Sequence, residues 1–311
     1  MEEKIQRIKH VADFEPEHIF ECGQCFRWSR EPDGSYTGIA LGRVINVSCP
    51  FDEKGQGRDL VLTNASEEDL EQIWKPYFDL GRDYGQIKKV LKAGDPVMAR
   101  AVEYGRGIRI LRQDFWETLI SFIISQNNNI PRIRLCIERL AENFGTPAGR
   151  FRGKAYFNLP TPEVLAETSV EELRACGLGY RAPYLVETAR QVMEAGGPDP
   201  VAKRLAGSSD PAAELEQFRG VGSKVANCIA LFGIGRYDAF PIDVWVRRVM
   251  HQLYHIDEKD TKKMKAYAAG HFKEYGGFAQ QYLFYYIRGQ EHSAAASGEK
   301  NALSRPKKNT G

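Results

Sequence analysis

The stretch LEQFRGVGSKVANCIALFGIGRYDAFPID, residues 215–243, decides the fold. Leu215 and Phe218 lie at helical spacing, and a tight Gly220-Val221-Gly222 turn follows. A second helix is expected from about Ser223, carrying Lys224, Cys228 and the apolar Val225, Ile229 and Phe232. Gly233 and Gly235 break it before Pro241 and Asp243. Two apolar helices joined by so short a hairpin form a unit whose turn amides can point at a phosphate. Lys224 just past the turn and the carboxylate of Asp243 add candidate chemistry to that grip.

Outward from this unit, 311 residues with 42% hydrophobic content allow one large or two to three modest domains. The net charge is only +2, so any nucleic-acid footprint must be local. No apolar run reaches membrane length, and the opening MEEKIQRIKH has no signal-peptide core. These features predict a protein that is neither secreted nor membrane-bound. Cys22 and Cys25 are spaced C-x-x-C without a second pair, so neither zinc nor a redox site is expected. The C-terminal third lacks the four clustered cysteines of an iron–sulfur cluster.

Residues 13–63 read as an antiparallel meander. FRWSR and SYTGIAL flank an Asp33-Gly34 turn, Gly42-Arg43 precedes VINVSC, and a turn with Gly55 and Gly57 precedes DLVLT. Helices then take over. Ser66 with Asp69 forms a capping box before LEQIWKPYF, and further helices are expected at 83–92 and 95–104. DFWETLISFIISQ, residues 114–126, has too little charge for a surface helix and should be buried nearly all round. Asn127-Asn128-Asn129 stops it, and Pro131 suits the first turn of the next helix. Ser169 with Glu172 marks a second capping box within 161–176, ahead of an exposed loop Gly177-Leu178-Gly179-Tyr180-Arg181. Asp210 caps AAELEQF, and helices are expected on both sides of residue 260. The expected divisions are 1–108 (antiparallel sheet plus helices), 109–205 (central helices), 206–290 (hairpin and C-terminal helices) and 291–311 (a polar, disordered tail).

Two readings stand for each chemical residue. Lys224 is either a surface lysine on a phosphate or an amine nucleophile, which requires burial or neighbours that lower its pKa. Cys228, one turn on, and the apolar surroundings suit a partly buried amine. Asp243 reads as a helix N-cap, and a carboxylate at a helix N-terminus is expected to stay ionised. There it can stabilise positive charge on a sugar or move protons. Asn127, Arg132, Tyr180 and Arg181 read either as capping and loop residues or as groups that fill and hold a duplex from which a base has been extruded.

Taken together, CGQCFRW (22–28), SQNNNIPRI (125–133), GLGYRA (177–182), FRGVGSKVANC (218–228), FPIDV (240–244) and FAQQYLF (278–284) resemble the 8-oxoguanine DNA glycosylases of the helix-hairpin-helix superfamily. The resemblance covers roughly residues 13–290. It implies an α+β fold, an antiparallel N-terminal sheet domain of the TBP-like kind followed by a mainly helical glycosylase region. It implies base excision repair by a bifunctional glycosylase and abasic-site lyase acting on double-stranded DNA with 8-oxoguanine opposite cytosine. Lys224 then resembles the nucleophile, Asp243 the catalytic carboxylate, and Gly23 the lesion reader through its carbonyl. Gln280 resembles the reader of the Watson–Crick edge, with Cys228, Phe232 and Phe284 around the flipped base. Asn127 resembles the gap filler, Tyr180 the wedge, and Arg132 and Arg181 the readers of the opposite cytosine. Gly220, Val221, Gly222 and Trp245 fall at phosphate contacts, and the Gly220–Gly222 hairpin is a candidate for an ion held by backbone carbonyls. Trp245 departs from the histidine of many relatives. No cofactor is required, a monomer is expected, and the location is the nucleoid-bearing cytoplasm of a bacterium or the nucleus of a eukaryote.

Two alternatives remain at this point. A related glycosylase for another lesion, such as an alkylated base, is disfavoured by Lys224. A non-catalytic DNA-binding protein leaves Asp243, Gln280 and Phe284 without a reason to accompany it.

Overall fold

The computed structural model of the protein describes residues 4–297. Five strands form one antiparallel sheet: β1 (Ile5–Ile8), β2 (Trp28–Arg30), β3 (Tyr36–Ala40), β4 (Arg43–Ser48) and β5 (Leu60–Thr63), ordered β1-β5-β4-β3-β2. The expected turn at Asp33 closes β2 on β3, with Ser35 N donating to Asp33 Oδ1 at 3.0 Å. Two corrections apply. Strand β1 precedes the expected start of the sheet and pairs with β5. Residues 16–20 form a helix, α1 (Pro16–Phe20), inside the stretch read as β. Its proline sits in the first turn, where a missing N–H costs nothing.

One sheet face buries Trp28, Ile45, Val47, Leu60 and Leu62 against α1 and against Trp74, Tyr77 and Phe78. Phe20 stacks on Trp28 at 4.1 Å between ring centroids. The other face buries Ile39 and Val44 beneath a hairpin the sequence reading did not anticipate, β6 (Pro147–Phe151) and β7 (Lys154–Phe157), through Phe151 and Tyr156. Its turn uses Arg152 and Gly153, both at positive φ, and so lacks the Asn-Gly or Asp-Gly signature of such turns.

The Ser66–Asp69 capping box forms as expected at α2 (Glu67–Asp69). The helix then passes through a π-helical turn, Leu70–Trp74, into α3 (Lys75–Tyr77). Pro76 lacks the amide that would close the preceding α-turn, which accounts for the wider turn. Next come α4 (Tyr84–Lys92) and α5 (Pro96–Tyr104), then the loop 105–113. Helix α6 (Phe115–Ile124) is buried on nearly every side, as its composition predicts. Helix α7 (Ile130–Phe144) is capped by Asn129, whose side chain accepts from Arg132 N at 3.0 Å.

The helix expected in 161–176 is two, α8 (Pro162–Glu167) and α9 (Val170–Ala175), because the Ser169–Glu172 capping box starts a new helix. After a 3₁₀ turn, Gly179–Arg181, come α10 (Ala182–Glu194) and α11 (Pro198–Ala206), the latter not anticipated. The hairpin unit is α12 (Pro211–Leu215), capped by Asp210, and α13 (Ser223–Gly233). Helices α14 (Val244–Tyr254), α15 (Thr261–His271) and α16 (Gly276–Ser297) complete the described chain. Helix α16 runs through the expected tail boundary near 291, and residues 298–311 lie outside the described residues. It packs against α5 and α14. Among the described residues no helix is long and apolar enough to cross a membrane.

Candidate active site

A cavity of about 380 Å³ opens where α13, the start of α14, α16 and the loop after α1 converge. Every residue expected to act on the base lines it: Gly23, Lys224, Cys228, Phe232, Asp243, Gln280 and Phe284, together with Trp245. The chain brings them together from both of its ends, across more than 250 positions of sequence.

Lys224 occupies the first turn of α13, set there by the Gly220-Val221-Gly222 hairpin. Gly220 has φ of +79°, and a Cβ there would lie 2.6 Å from Tyr184 Cδ2, so the turn seats on α10 only as glycine. Gln126 Nε2 donates to Gly220 O at 2.8 Å, and Thr188 Oγ1 donates to Arg219 O at 2.8 Å. Most neighbouring helices start on a capping carboxylate, amide or hydroxyl, but Gly222 caps α13 with no side chain. The first amides of α13 are thus left for an outside acceptor. Of the hairpin carbonyls proposed for an ion, that of Gly220 accepts from Gln126 and that of Gly222 from Ala226 N at 2.9 Å, which leaves each one further lone pair. Among the described residues no group of three or more His, Cys, Asp or Glu is placed to hold a metal ion.

Lys224 Nζ lies 5.2 Å from the centroid of the Phe122 ring, and Phe122 stacks on Phe232 at 5.6 Å. Cys228 lies one turn further along α13 and is buried, which raises its thiol pKa despite Lys224 beside it. Asp243 is the N-cap of α14: its Oδ1 accepts from Trp245 N at 3.0 Å and Val246 N at 2.8 Å. Burial nevertheless lifts its pKa above the ordinary carboxylate value, against the opposing pull of the Val246 amide and Lys224. The N-cap expected of Asp243 is present, and burial acts on its charge beside the helix terminus. Trp245 lies under the Arg248 guanidinium, 5.0 Å from the ring, and Arg248 pairs with Glu291 at 2.7 Å.

Gln280 is 5% exposed, and its Oε1 is buried without a protein partner. Such an atom costs free energy in the folded protein unless a ligand supplies a donor. Gly23 lines the same cavity with φ of +79°; a Cβ would approach Phe284 Cε1 to 3.1 Å. The C-x-x-C cysteines beside it are buried thiols. Burial pushes Cys22 up to about 11 and Cys25 well above the usual thiol value, neither being available as a thiolate at neutral pH.

The second group of expected residues forms a separate corner. Asn127 is at positive φ, and its Nδ2 donates to Tyr180 Oη at 3.3 Å. Tyr180 is 47% exposed, as expected of its loop. Arg181 is not: it is 4% exposed, correcting its placement on an exposed loop. Its Nε donates to Gln126 O at 2.8 Å and its Nη2 to Asn127 O at 3.1 Å. The guanidinium therefore holds the asparagine corner in shape. Arg132 is exposed on the first turn of α7.

Sequence reasoning missed Phe122, Gln281 and Arg288, which also line the cavity. Phe122 sits in a uniformly apolar helix and carries no signal of its own. The Gln-Gln pair inside the apolar FAQQYLF did carry one, since two adjacent amides in a buried helix point to two different partners.

Residues 7–119 match the family described as 8-oxoguanine DNA glycosylase, N-terminal domain, and residues 120–273 match the HhH-GPD superfamily base excision DNA repair protein. An N-glycosylase/DNA lyase of Saccharomyces cerevisiae is 40% identical over 257 residues, spanning 77% of this chain and 68% of that one. A probable N-glycosylase/DNA lyase of Methanothermobacter thermautotrophicus is 32% identical over 305 residues, spanning 89% and 95%. The Clostridium acetobutylicum 8-oxoguanine glycosylase/lyase, solved with double-stranded DNA containing cytosine opposite 8-oxoG, is 41% identical with a TM-score of 0.84, covering 92% of this chain and 98% of that one. The order of these two domain matches along the chain, with relatives matched over most of their length, shows that this protein belongs to the 8-oxoguanine DNA glycosylase family of the HhH-GPD superfamily.

Proposed function

We propose that this protein flips 8-oxoguanine out of duplex DNA, cleaves its glycosidic bond through Lys224, and then nicks the strand 3′ to the abasic site. The observation that carries the reading is the unpartnered, buried Gln280 Oε1 in a cavity that also holds Lys224 and Asp243. That oxygen is an acceptor waiting for a donor on the Watson–Crick edge of a purine. In the same cavity, the Gly23 carbonyl accepts from a base carrying hydrogen on N7. 8-Oxoguanine has that hydrogen; guanine has a lone pair there, and two facing acceptors repel. The Phe284 ring and the Cys228 thiol flank the base.

The neutral Lys224 amine attacks C1′ as the bond to the base breaks, the nitrogen gives up a proton as the departing base takes one, and Asp243 stabilises the positive charge that builds on the sugar. Opening of the sugar ring leaves an imine to Lys224. That imine withdraws electrons from C2′, so loss of a C2′ proton expels the 3′ phosphate. The lysine serves both stages, and no cofactor enters either one. Tyr180 wedges the duplex and Asn127 fills the vacated space. Arg132 is free to reach the opposite cytosine, whereas Arg181 must first leave the carbonyls of Gln126 and Asn127. The uncapped start of α13 grips a phosphate, and Trp245 contributes an indole N–H near the sugar-phosphate chain. The substrate places the protein with chromosomal DNA, in nucleoid or nucleus.

Borohydride trapping tests the assignment. Wild-type protein should form a covalent adduct with duplex DNA containing 8-oxoguanine, and Lys224→Gln should lose trapping and excision by about three orders of magnitude or more. An undiminished adduct with Lys224→Gln would remove the lysine from its role.

A further inference from the structure

The peptide at Gly23 is held by its neighbours. Gln281 Nε2 donates to Cys22 O at 2.6 Å, and Arg288 Nη1 donates to Glu21 O at 3.1 Å. On the other side, Gln113 Nε2 donates to Gln24 O at 2.7 Å. The Gln24 side chain is fully buried and bonds Ile19 O, Arg109 O and Leu111 N, all between 2.8 and 2.9 Å. Because peptide units are planar, fixing the carbonyls before and after a residue leaves its own carbonyl little freedom. Glycine is otherwise the residue best able to turn that carbonyl away.

Two of these donors share a helix with the base-facing groups. Gln281 follows Gln280 directly, and Arg288 lies one turn beyond Phe284 on α16. One helix thus supplies part of the cavity lining and also fastens the loop that carries Gly23. The Arg288 guanidinium lies 3.9 Å from the position a Gly23 Cβ would take.

We propose that Gln281 and Arg288 are positioning residues for lesion discrimination: together they hold the Gly23 carbonyl at a set distance from Gln280 and Phe284. The inference rests on the 8-oxoguanine reading above. Lesion and guanine differ here by a single N7 hydrogen, and a hydrogen bond weakens steeply once its acceptor swings out of line. A loosened Gly23 loop therefore costs base recognition before it costs chemistry at C1′.

The test compares two reactions of the full chain. One is single-turnover excision from a duplex with 8-oxoguanine opposite cytosine; the other is strand cleavage at a preformed abasic site, which has no base to read. In Gln281→Met and Arg288→Met, the ratio of the first rate to the second should fall about tenfold or more. Arg288→Lys, which keeps a donor, should recover most of that ratio. Should a methionine variant fail to fold, Gln281→Asn, whose amide is one methylene short of Cys22 O, is expected to lower the same ratio. Equal losses in both reactions would reduce the two residues to general structural supports and overturn the proposal, as would an unchanged ratio. Wild type that cleaves abasic sites but leaves 8-oxoguanine in place would instead overturn the substrate reading on which the proposal stands.

Discussion

Gln280 and Asp243 are each held in a state that packing alone would not choose. The buried, unpartnered Oε1 of Gln280 is a stability cost, one that the proposed function assigns to base recognition. Gln280→Leu should therefore raise unfolding stability by about 1 kcal/mol while lowering 8-oxoguanine excision tenfold or more, roughly. Denaturant titration and excision rates on the same preparation check both halves. For Asp243, Asn keeps the acceptor oxygen that caps α14 but removes the charge. Asp243→Asn should thus fold normally and lose about a hundredfold in excision rate. Because burial raises the Asp243 pKa, its proton is retained to higher pH than on an ordinary aspartate. Activity that needs the carboxylate should fall as pH drops through that raised value, and the pH–rate profile of Asp243→Asn should lack this acidic limb.

Between elements, one contact sensitive to pH joins the sheet to the helices. Arg27, just before β2, lies 3.7 Å from Glu117 on α6 and 3.6 Å from Glu138 on α7. Burial raises the Glu117 pKa to about 7, with Arg27 only partly offsetting it. A folded-state pKa above the unfolded value means that the native protein binds the extra proton. Stability from this group is full below the ordinary glutamate range and is lost as pH rises towards 7. Glu117→Gln, neutral at every pH, should flatten the fall in stability across that window, a change of up to about 3 kcal/mol. Urea melts at several pH values would show it; an unchanged slope would mean that Arg27 already pairs with an ionised Glu117.

For the whole molecule, the cavity exists because the chain's two ends are fastened together. Asp95 contributes far from the chemistry. Its Oδ1 caps α5, while its Oδ2 accepts from Tyr254 Oη at 2.9 Å and pairs with His271 Nε2 at 3.0 Å. It thereby ties α5 to α14 and α15. Asp95→Ala leaves Tyr254 and His271 without this acceptor and removes a cap, so it should cost about 2–4 kcal/mol in denaturant unfolding. Excision measured well below the melting temperature should change far less than in the cavity variants.

Much of this was legible without coordinates, and the reason differs from place to place. Turn glycines, caps and apolar periodicity act over a few residues, so the hairpin at 220–222, the caps at Ser66, Ser169 and Asp210, and the buried α6 could all be read locally. The motifs also named Lys224, Asp243, Gly23 and Gln280 through family resemblance. What the sequence could not decide is set by contacts between distant segments. The β6–β7 hairpin is held by a sheet face more than a hundred residues upstream. Arg181 reads as a loop cation, yet the carbonyls of Gln126 and Asn127 draw it inward. The raised pKa of Asp243 needs surrounding protein that its own helix does not supply. Local sequence determined which residues could bind a phosphate, attack a sugar or face a base. Only the tertiary structure decided which of them share one cavity, because burial and hydrogen-bond satisfaction depend on segments that meet only when the whole chain has folded.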